Sequence, residues 1–459
     1  MKLSNLSYLF LLLLVATGCS KFTDIKPKGF LLPKTVDDYQ GFMNDIVLAN
    51  AGYLNNEFMT DDLRFTDDFA ASQSITRQGR SYFWDKEILR ATEDDAEWNT
   101  PYNMIYYCNL VLENIDAATN GTQEQKDLAK AEALVHRAFQ HFHLASNYGR
   151  DYQAATASTD LAVPLMLKPD LEAKSSRATV QEVYDKVITD LKAALNITAL
   201  PDFGRNYVHP GKAGVLAILA RVYFFMGDYK TAAEYADAAL AKNNTLLDYN
   251  TFKFTSATNP FSGVTGRPAA ELNPENLFSR TNSQGNIFRV FLIGDSLHRV
   301  LGEKDLRFYF NFAYRTRGGA ASPFPNYLEA LPNFSIGVPE MMLIKAEYLA
   351  RQGQTNDAIN ILNTLRQKRF KPADYVALTA SNAEEALVRV LEERRRELFY
   401  HGIRWFDLKR LNRDDRFKLT IARTHPAKSA TLEPNSPRYV LPIPPKVVDL
   451  NPNIKPNER

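Results

Sequence analysis

The chain has 459 residues, is 45% hydrophobic and 12% aromatic, and carries a formal net charge of +2. That composition is globular rather than disordered, and so small a charge gives no bulk footprint for nucleic acid. Beyond the N-terminus no apolar run reaches the roughly 20 residues that a membrane-spanning helix needs, which excludes a helical transporter.

Lys2 makes the start of the chain positive, residues 8–16 form a short apolar run, and Val15-Ala16-Thr17-Gly18-Cys19 follows. This is the layout of a secretory signal. Its last five residues resemble a bacterial lipobox, where cleavage precedes a cysteine that is then acylated. Residues 1–18 are expected to be removed and Cys19 to carry lipid. Several acyl chains on one residue give firm anchoring, each buried methylene adding about 0.8 kcal/mol. Residues 19–33, polar with Lys and Pro, are expected to form the lipidated tether. With Cys19 so used, Cys108 remains alone and the mature chain can make no internal disulfide.

Helical spacing dominates the stretch 34–247. Ile105, Cys108, Leu112 and Ile115 share one face of a helix over 98–118, and Cys108 is expected to be a small core residue there. Ala131, Leu134, Ala138 and Phe142 do the same over 125–148, with Gly149 as a stop. A third helix is predicted over 179–195, with Thr179 as its N-cap. Residues 217–239 predict helix, tight turn at Gly227-Asp228, helix. Ala346, Gly353, Ala358, Leu362 and Leu365 repeat the offsets of Ala220, Gly227, Ala232, Ala236 and Ala239. Small residues at these offsets let antiparallel helices approach closely, as in tetratricopeptide repeats. The predicted fold class is therefore mostly α, with tetratricopeptide-like helical hairpins. A loop-rich insertion is expected over 248–339, with a short strand at 287–293; so long a loop is commonly functional. The C-terminal region, 340–459, holds the second hairpin and one long amphipathic helix over 383–413. Leu387, Leu391, Arg394 and Leu398 share its apolar stripe, so Arg394 needs a buried carboxylate, for which Asp407 is the candidate.

Little in the chain points to a reaction. His136, His141 and His143 lack the i, i+4 spacing of a helical zinc pair. Asp61-Asp62, Asp67-Asp68 and Glu93-Asp94-Asp95 lack EF-hand spacing and fit solvated turns or helix caps. There is no Gly-x-Ser-x-Gly, P-loop or Gly-x-Gly-x-x-Gly. No catalytic residue, metal or cofactor is expected. A binding site for sugar needs flat apolar faces beside planar polar groups. Two candidate clusters meet that need: Arg80, Tyr82 and Trp84, and, in the insertion, Tyr314, Phe324 and Tyr327. A core role fits Trp84 equally well.

The segment Glu393-Arg394-Arg395-Arg396-Glu397, followed by Gly402-Ile403-Arg404-Trp405-Phe406-Asp407-Leu408-Lys409-Arg410, resembles the SusD/RagB family of outer-membrane lipoproteins. So do Leu441-Pro442-Ile443-Pro444, Asp449 to Asn453, and upstream Trp98, Tyr102, Ile105, Asn109, Arg137 and Tyr148-Gly149. The resemblance implies a lid on a TonB-dependent (SusC-like) transporter barrel, docked through its repeats and held in the outer membrane on the cell exterior. The ligand it implies is a glycan or, in some members, an oligopeptide. Two other readings stay open. One is a tetratricopeptide-type interaction scaffold of the cell envelope. The other is a surface glycoside hydrolase built on paired carboxylates.

Overall fold

The computed structural model describes residues 33–50, 54–281, 291–317, 320–329 and 333–459. The signal segment, Cys19 and all but the last residue of the tether lie outside them.

Each helix begins where its sequence can satisfy the orphan N–H groups of a first turn. Asp95 caps α1 (Ala96–Asn114), and Thr122 with Gln125 forms a reciprocal capping box at α2 (Gln123–Tyr148). Thr179, the predicted N-cap, forms another with Glu182 at α3 (Val180–Leu195). The repeat unit is a hairpin of α4 (Lys212–Met226) and α5 (Tyr229–Lys242). Gly227 turns the chain with φ +86°, a left-handed conformation that side chains resist. A second hairpin, α6 (Val338–Arg351) and α7 (Thr355–Gln367), turns at Gly353 with φ +76°. The small residues do what their spacing implies: Ala220, Ala232, Ala236, Ala239, Ala346 and Ala358 are all completely buried.

Neighbours in sequence are neighbours in space. α1 packs on α2, α2 on α3, α3 on α4, α4 on α5, and α5 on α6 of the second hairpin. Stacking of this kind buries a continuous core that no single hairpin could bury alone. From Ala131 to Tyr148, α2 is buried on every side, which puts it at the centre of the stack. Among the described residues no helix is long and apolar enough to cross a membrane.

The expected single helix over 383–413 is two helices, α8 (Ala383–Glu397) and α9 (Arg404–Leu411). Tyr400 (φ +57°) and Gly402 (φ +75°) both adopt left-handed backbone between them and redirect the chain. The redirected chain brings Asp407 back to Arg394. Arg394 is 1% exposed, and its Nε donates to Asp407 Oδ2 at 2.8 Å. Asp407 also accepts from Arg410 at 2.9 Å, and Arg410 forks onto Glu347 of α6 at 2.7 and 2.9 Å. Beside this network Trp405 stacks on Tyr439 at 4.6 Å between ring centroids, fully inside the core.

The stretch expected to be loop-rich holds more order than its composition suggests. In chain order, with one strand from the N-terminal part, the strands that bear on the site include β1 (Leu63–Arg64), β2 (Lys253–Ser256), β3 (Asn259–Thr265), β4 (Leu292–Ile293), β5 (Phe312–Ala313) and β6 (Asn326–Tyr327). β2 and β3 form a hairpin, and the others make a four-stranded antiparallel sheet in the order β1-β4-β6-β5. Short helices at Asp295–Leu301 and Leu306–Asn311 lie between the strands. The strand expected at 287–293 is present as β4; residues 287–290 lie outside the described residues.

Candidate functional site

The four-stranded sheet gathers side chains that are far apart in sequence. Arg64 pairs with Leu292, Leu292 with Asn326, and Asn326 with Ala313. One residue further, the Ile293 N–H donates to the Pro325 carbonyl at 3.0 Å, and the Ser322 N–H donates to the Arg315 carbonyl at 2.7 Å. Asp295, Phe324, Tyr314 and Arg315 therefore lie at one end of the sheet. Arg64 reaches over them. Its Nη1 lies 3.0 Å from each oxygen of Asp295, and its guanidinium lies 3.7 Å from the centroid of the Phe324 ring.

Two of these groups are open to solvent, Asp295 with 64% of its side chain and Tyr314 at 52%, while Arg64 and Phe324 are half-buried. Arg315 is also exposed, and its guanidinium sits 4.9 Å from the Phe261 ring on the neighbouring β2–β3 hairpin. The face combines ring surfaces with planar hydrogen-bonding groups. Such a set can pack against the C–H face of a pyranose and hold its hydroxyls, since an aromatic ring offers a large apolar surface and a guanidinium a fixed fork of donors.

The backbone under this face is tied to the C-terminal signature. Arg395 of α8 donates from Nε to Asp62 Oδ1 and from Nη2 to Ser296 Oγ, both at 2.7 Å. Arg404 of α9 forks onto Asp61 at 2.8 and 2.9 Å. Burial alone would raise the Asp61 carboxyl, but Arg404 and Arg395 hold it well below the usual range. The expectation of solvated turns at Asp61-Asp62 therefore does not hold: Asp62 is buried, Asp61 is largely covered, and both are held in ion pairs with Arg395 and Arg404. Asp67 and Asp68 lie in the first turn of a helix over Asp67–Gln73 that Thr66 caps, whereas Asp95 itself caps α1.

The predicted ligand residues fall into two groups. Tyr314 and Phe324 lie at the same end of the sheet, Tyr314 exposed and Phe324 half-buried with Arg64 against its ring. Tyr327 does not join them: it is buried in the core, where it meets Tyr400 edge-on at 4.8 Å. The other cluster is core. Trp84 is 0% exposed and its Nε1 donates to the Met59 carbonyl at 2.9 Å. Tyr82 is buried and stacked on Phe65, and the Arg423 guanidinium covers its ring at 3.6 Å. Arg80 is spent on the Ile88 carbonyl and on Glu93. No ring of that cluster offers a face to a ligand.

Arg64, Asp295, Arg315 and Phe261 escape a reading of the sequence. They belong to four separated segments joined by two-residue strands and a hairpin, too short to show a period. The histidines of α2 are all buried. Burial lowers His141 to about 4 and His143 to about 3, so both are neutral core groups. Burial likewise pushes the Cys108 thiol up to about 12, as befits an inert core residue. Among the described residues no three metal-ligating side chains converge.

Residues 21–224 match a family model described as starch-binding and associating with the outer membrane, and residues 332–459 match the SusD family model. The chain belongs to the SusD/RagB family. Two SusD-like proteins of Formosa agariphila are similar along most of their length. One is 23% identical over 90% of this chain and 92% of its own. The other is 24% identical over 97% of each. Among solved structures, a SusD superfamily protein of Bacteroides thetaiotaomicron has a TM-score of 0.73 at 22% identity, covering 93% of this chain and all of its own. A SusD-like carbohydrate binding protein of Bacteroides vulgatus has a TM-score of 0.66 at 21% identity, covering 92% and 97%. Within this SusD/RagB chain, Arg64 falls inside the first matched stretch. Phe261, Asp295, Tyr314, Arg315 and Phe324 all fall between the two, outside both family models.

Proposed function

We propose that this SusD/RagB protein binds a nutrient, a glycan or else an oligopeptide, at the face built by Arg64, Asp295, Tyr314 and Phe324. It hands that ligand to a TonB-dependent, SusC-like transporter. In this reading a lipid on Cys19 holds the protein to the outer membrane, facing the cell exterior, and the protein carries out no reaction itself. The observation that carries the proposal is the partly exposed ring set with its own planar ion pair, seated on a rigid helical stack. Similarity to a carbohydrate binding protein of Bacteroides vulgatus supports a glycan over a peptide.

Calorimetry of the mature protein against a panel of glycans and peptides tests the binding claim. A ligand should be found, and Tyr314→Ala should weaken it about tenfold or more, as loss of a stacking ring does at a binding hot spot. Absence of heat across the panel would overturn it. Purification from membranes tests the delivery claim: the protein should bring down a large β-barrel. Release of reducing sugar from polysaccharide would instead make it a hydrolase.

A second reading has an observation of its own. A groove of about 890 Å³ between α5, α6 and α7 is lined by Leu240, Leu246, Met342, Leu349 and Ile361. Apolar grooves of helical hairpins suit a partner helix. A scaffold of the cell envelope would use this groove and show no affinity for small molecules, which the same calorimetry separates.

A further inference from the structure

Two rings, Phe261 on the β2–β3 hairpin and Tyr309 beside it, each carry a cation. The Arg315 guanidinium lies 4.9 Å from the Phe261 centroid, and the Lys371 ammonium lies 5.2 Å from the Tyr309 centroid. Phe261, Tyr309, Arg315 and Lys371 are all exposed. The hairpin joins the two pairs, because Phe254 of β2 packs against Tyr309 at 5.2 Å. Their neighbours are treated differently. Arg64 is neutralised by Asp295, Lys304 by Asp374 and Lys368 by Asp248. Among the described residues no carboxylate lies within ion-pair reach of Arg315 or Lys371. A cation resting on a ring keeps its N–H donors free at the edge, so it is oriented without being neutralised. The carboxylates nearby are each engaged by another cation: Asp295 by Arg64, Asp374 by Lys304 and Asp248 by Lys368. The face is thus apolar, planar and positive.

We infer that the ligand is an anionic glycan, one whose sugars bear carboxylates or sulfates, with Arg315 and Lys371 receiving the acid groups while Tyr314 and Phe324 pack against the rings. This rests on the reading of the face as a glycan site. A carboxylate or sulfate matches the guanidinium fork, and a charge-assisted hydrogen bond is roughly twice as strong as a neutral one.

The test is affinity electrophoresis of the mature protein through gels holding one polymer each. The anionic polymers are polygalacturonate, alginate and chondroitin sulfate. The neutral ones are starch, xylan and galactomannan. Two controls are run: fully methyl-esterified polygalacturonate, which keeps the sugar and loses the charge, and polyglutamate, which keeps the charge and has no sugar. Retention by at least one anionic glycan is expected, stronger than by the ester or by polyglutamate and weakened by salt. In R315Q/K371Q that retention should fall about tenfold or more with the unfolding temperature unchanged, because both side chains are exposed. Retention by a neutral glycan alone would overturn the inference and leave the glycan site standing. So would equal retention by acid and ester, or retention unaltered in the double variant. Retention equal to that on polyglutamate would reduce it to bulk charge attraction and overturn it too. No retention by any glycan, with binding of a peptide in the calorimetric panel, would overturn both.

Discussion

Arg394 shows how a charge inside an apolar stripe specifies its surroundings. A guanidinium at that position is tolerable only with anions around it, so its presence on the predicted stripe announces a partner in advance. Asp407→Asn should therefore destabilise the protein by about 3–5 kcal/mol, read from urea unfolding, because it leaves buried cations under-compensated. Trp84 and Tyr314 make the opposite pair. Both are aromatic residues beside polar ones, and composition alone cannot separate them. What separates them is backbone: Trp84 adopts φ +51° at the end of a short helix, which turns its ring into the core. Trp84→Ala should cost about 3–5 kcal/mol of stability, as large aromatic truncations in cores do. Tyr314→Ala should leave the unfolding midpoint in place while weakening ligand, as measured on one preparation by calorimetry and denaturation.

At the scale of elements, legibility follows length. The long helices of the N-terminal part carry enough periodic positions and end signals to be placed within a few residues, with Thr179 before one and Gly149 after another. The two hairpins were visible because small residues and a turn glycine recur at fixed offsets. Gly227 and Gly353 have nothing within 4 Å of where a Cβ would stand, so only backbone conformation demands glycine there. Gly227→Ala and Gly353→Ala should each lose about 1–2 kcal/mol, the cost of a left-handed L-residue, and thermal unfolding checks this. The candidate face was only partly legible for the converse reason. Its sheet is made of two-residue strands, and their pairing is decided by packing on Phe291, Tyr400 and the helices beneath rather than by local pattern. The break at Tyr400 and Gly402 was hidden as well, since apolar spacing continues through it; Gly402 was its single mark.

For the whole molecule, buried titratable groups define a pH range. Burial, reinforced by the charge of Asp62, raises Glu57 to about 8; burial, with Asp95 adding and Arg77 opposing, raises Glu97 to about 7. Such a carboxyl keeps its proton in the folded chain where the unfolded chain has lost it. Stability then falls as pH climbs from the ordinary carboxylate range to the folded value. His141 and His143 work on the acid side. The unfolded chain gains a proton below the ordinary imidazole value, the folded chain only near pH 4 and 3, and stability falls between. A dome is expected, and Glu57→Gln should flatten its alkaline limb; a thermal-shift series against pH would show whether it does. Glu57 also accepts the Gly402 N–H at 2.5 Å, and Asp62 meets Arg395, contacts spanning 345 and 333 residues. A chain made from its N-terminus thus holds Asp61 and Asp62 without their counter-charges, and Glu57 without its N–H donor, until the last part is synthesised. The strand bearing Arg64 cannot settle before then, so a chain cut short ahead of Arg395 should be digested by protease rather than persist as a weaker binder.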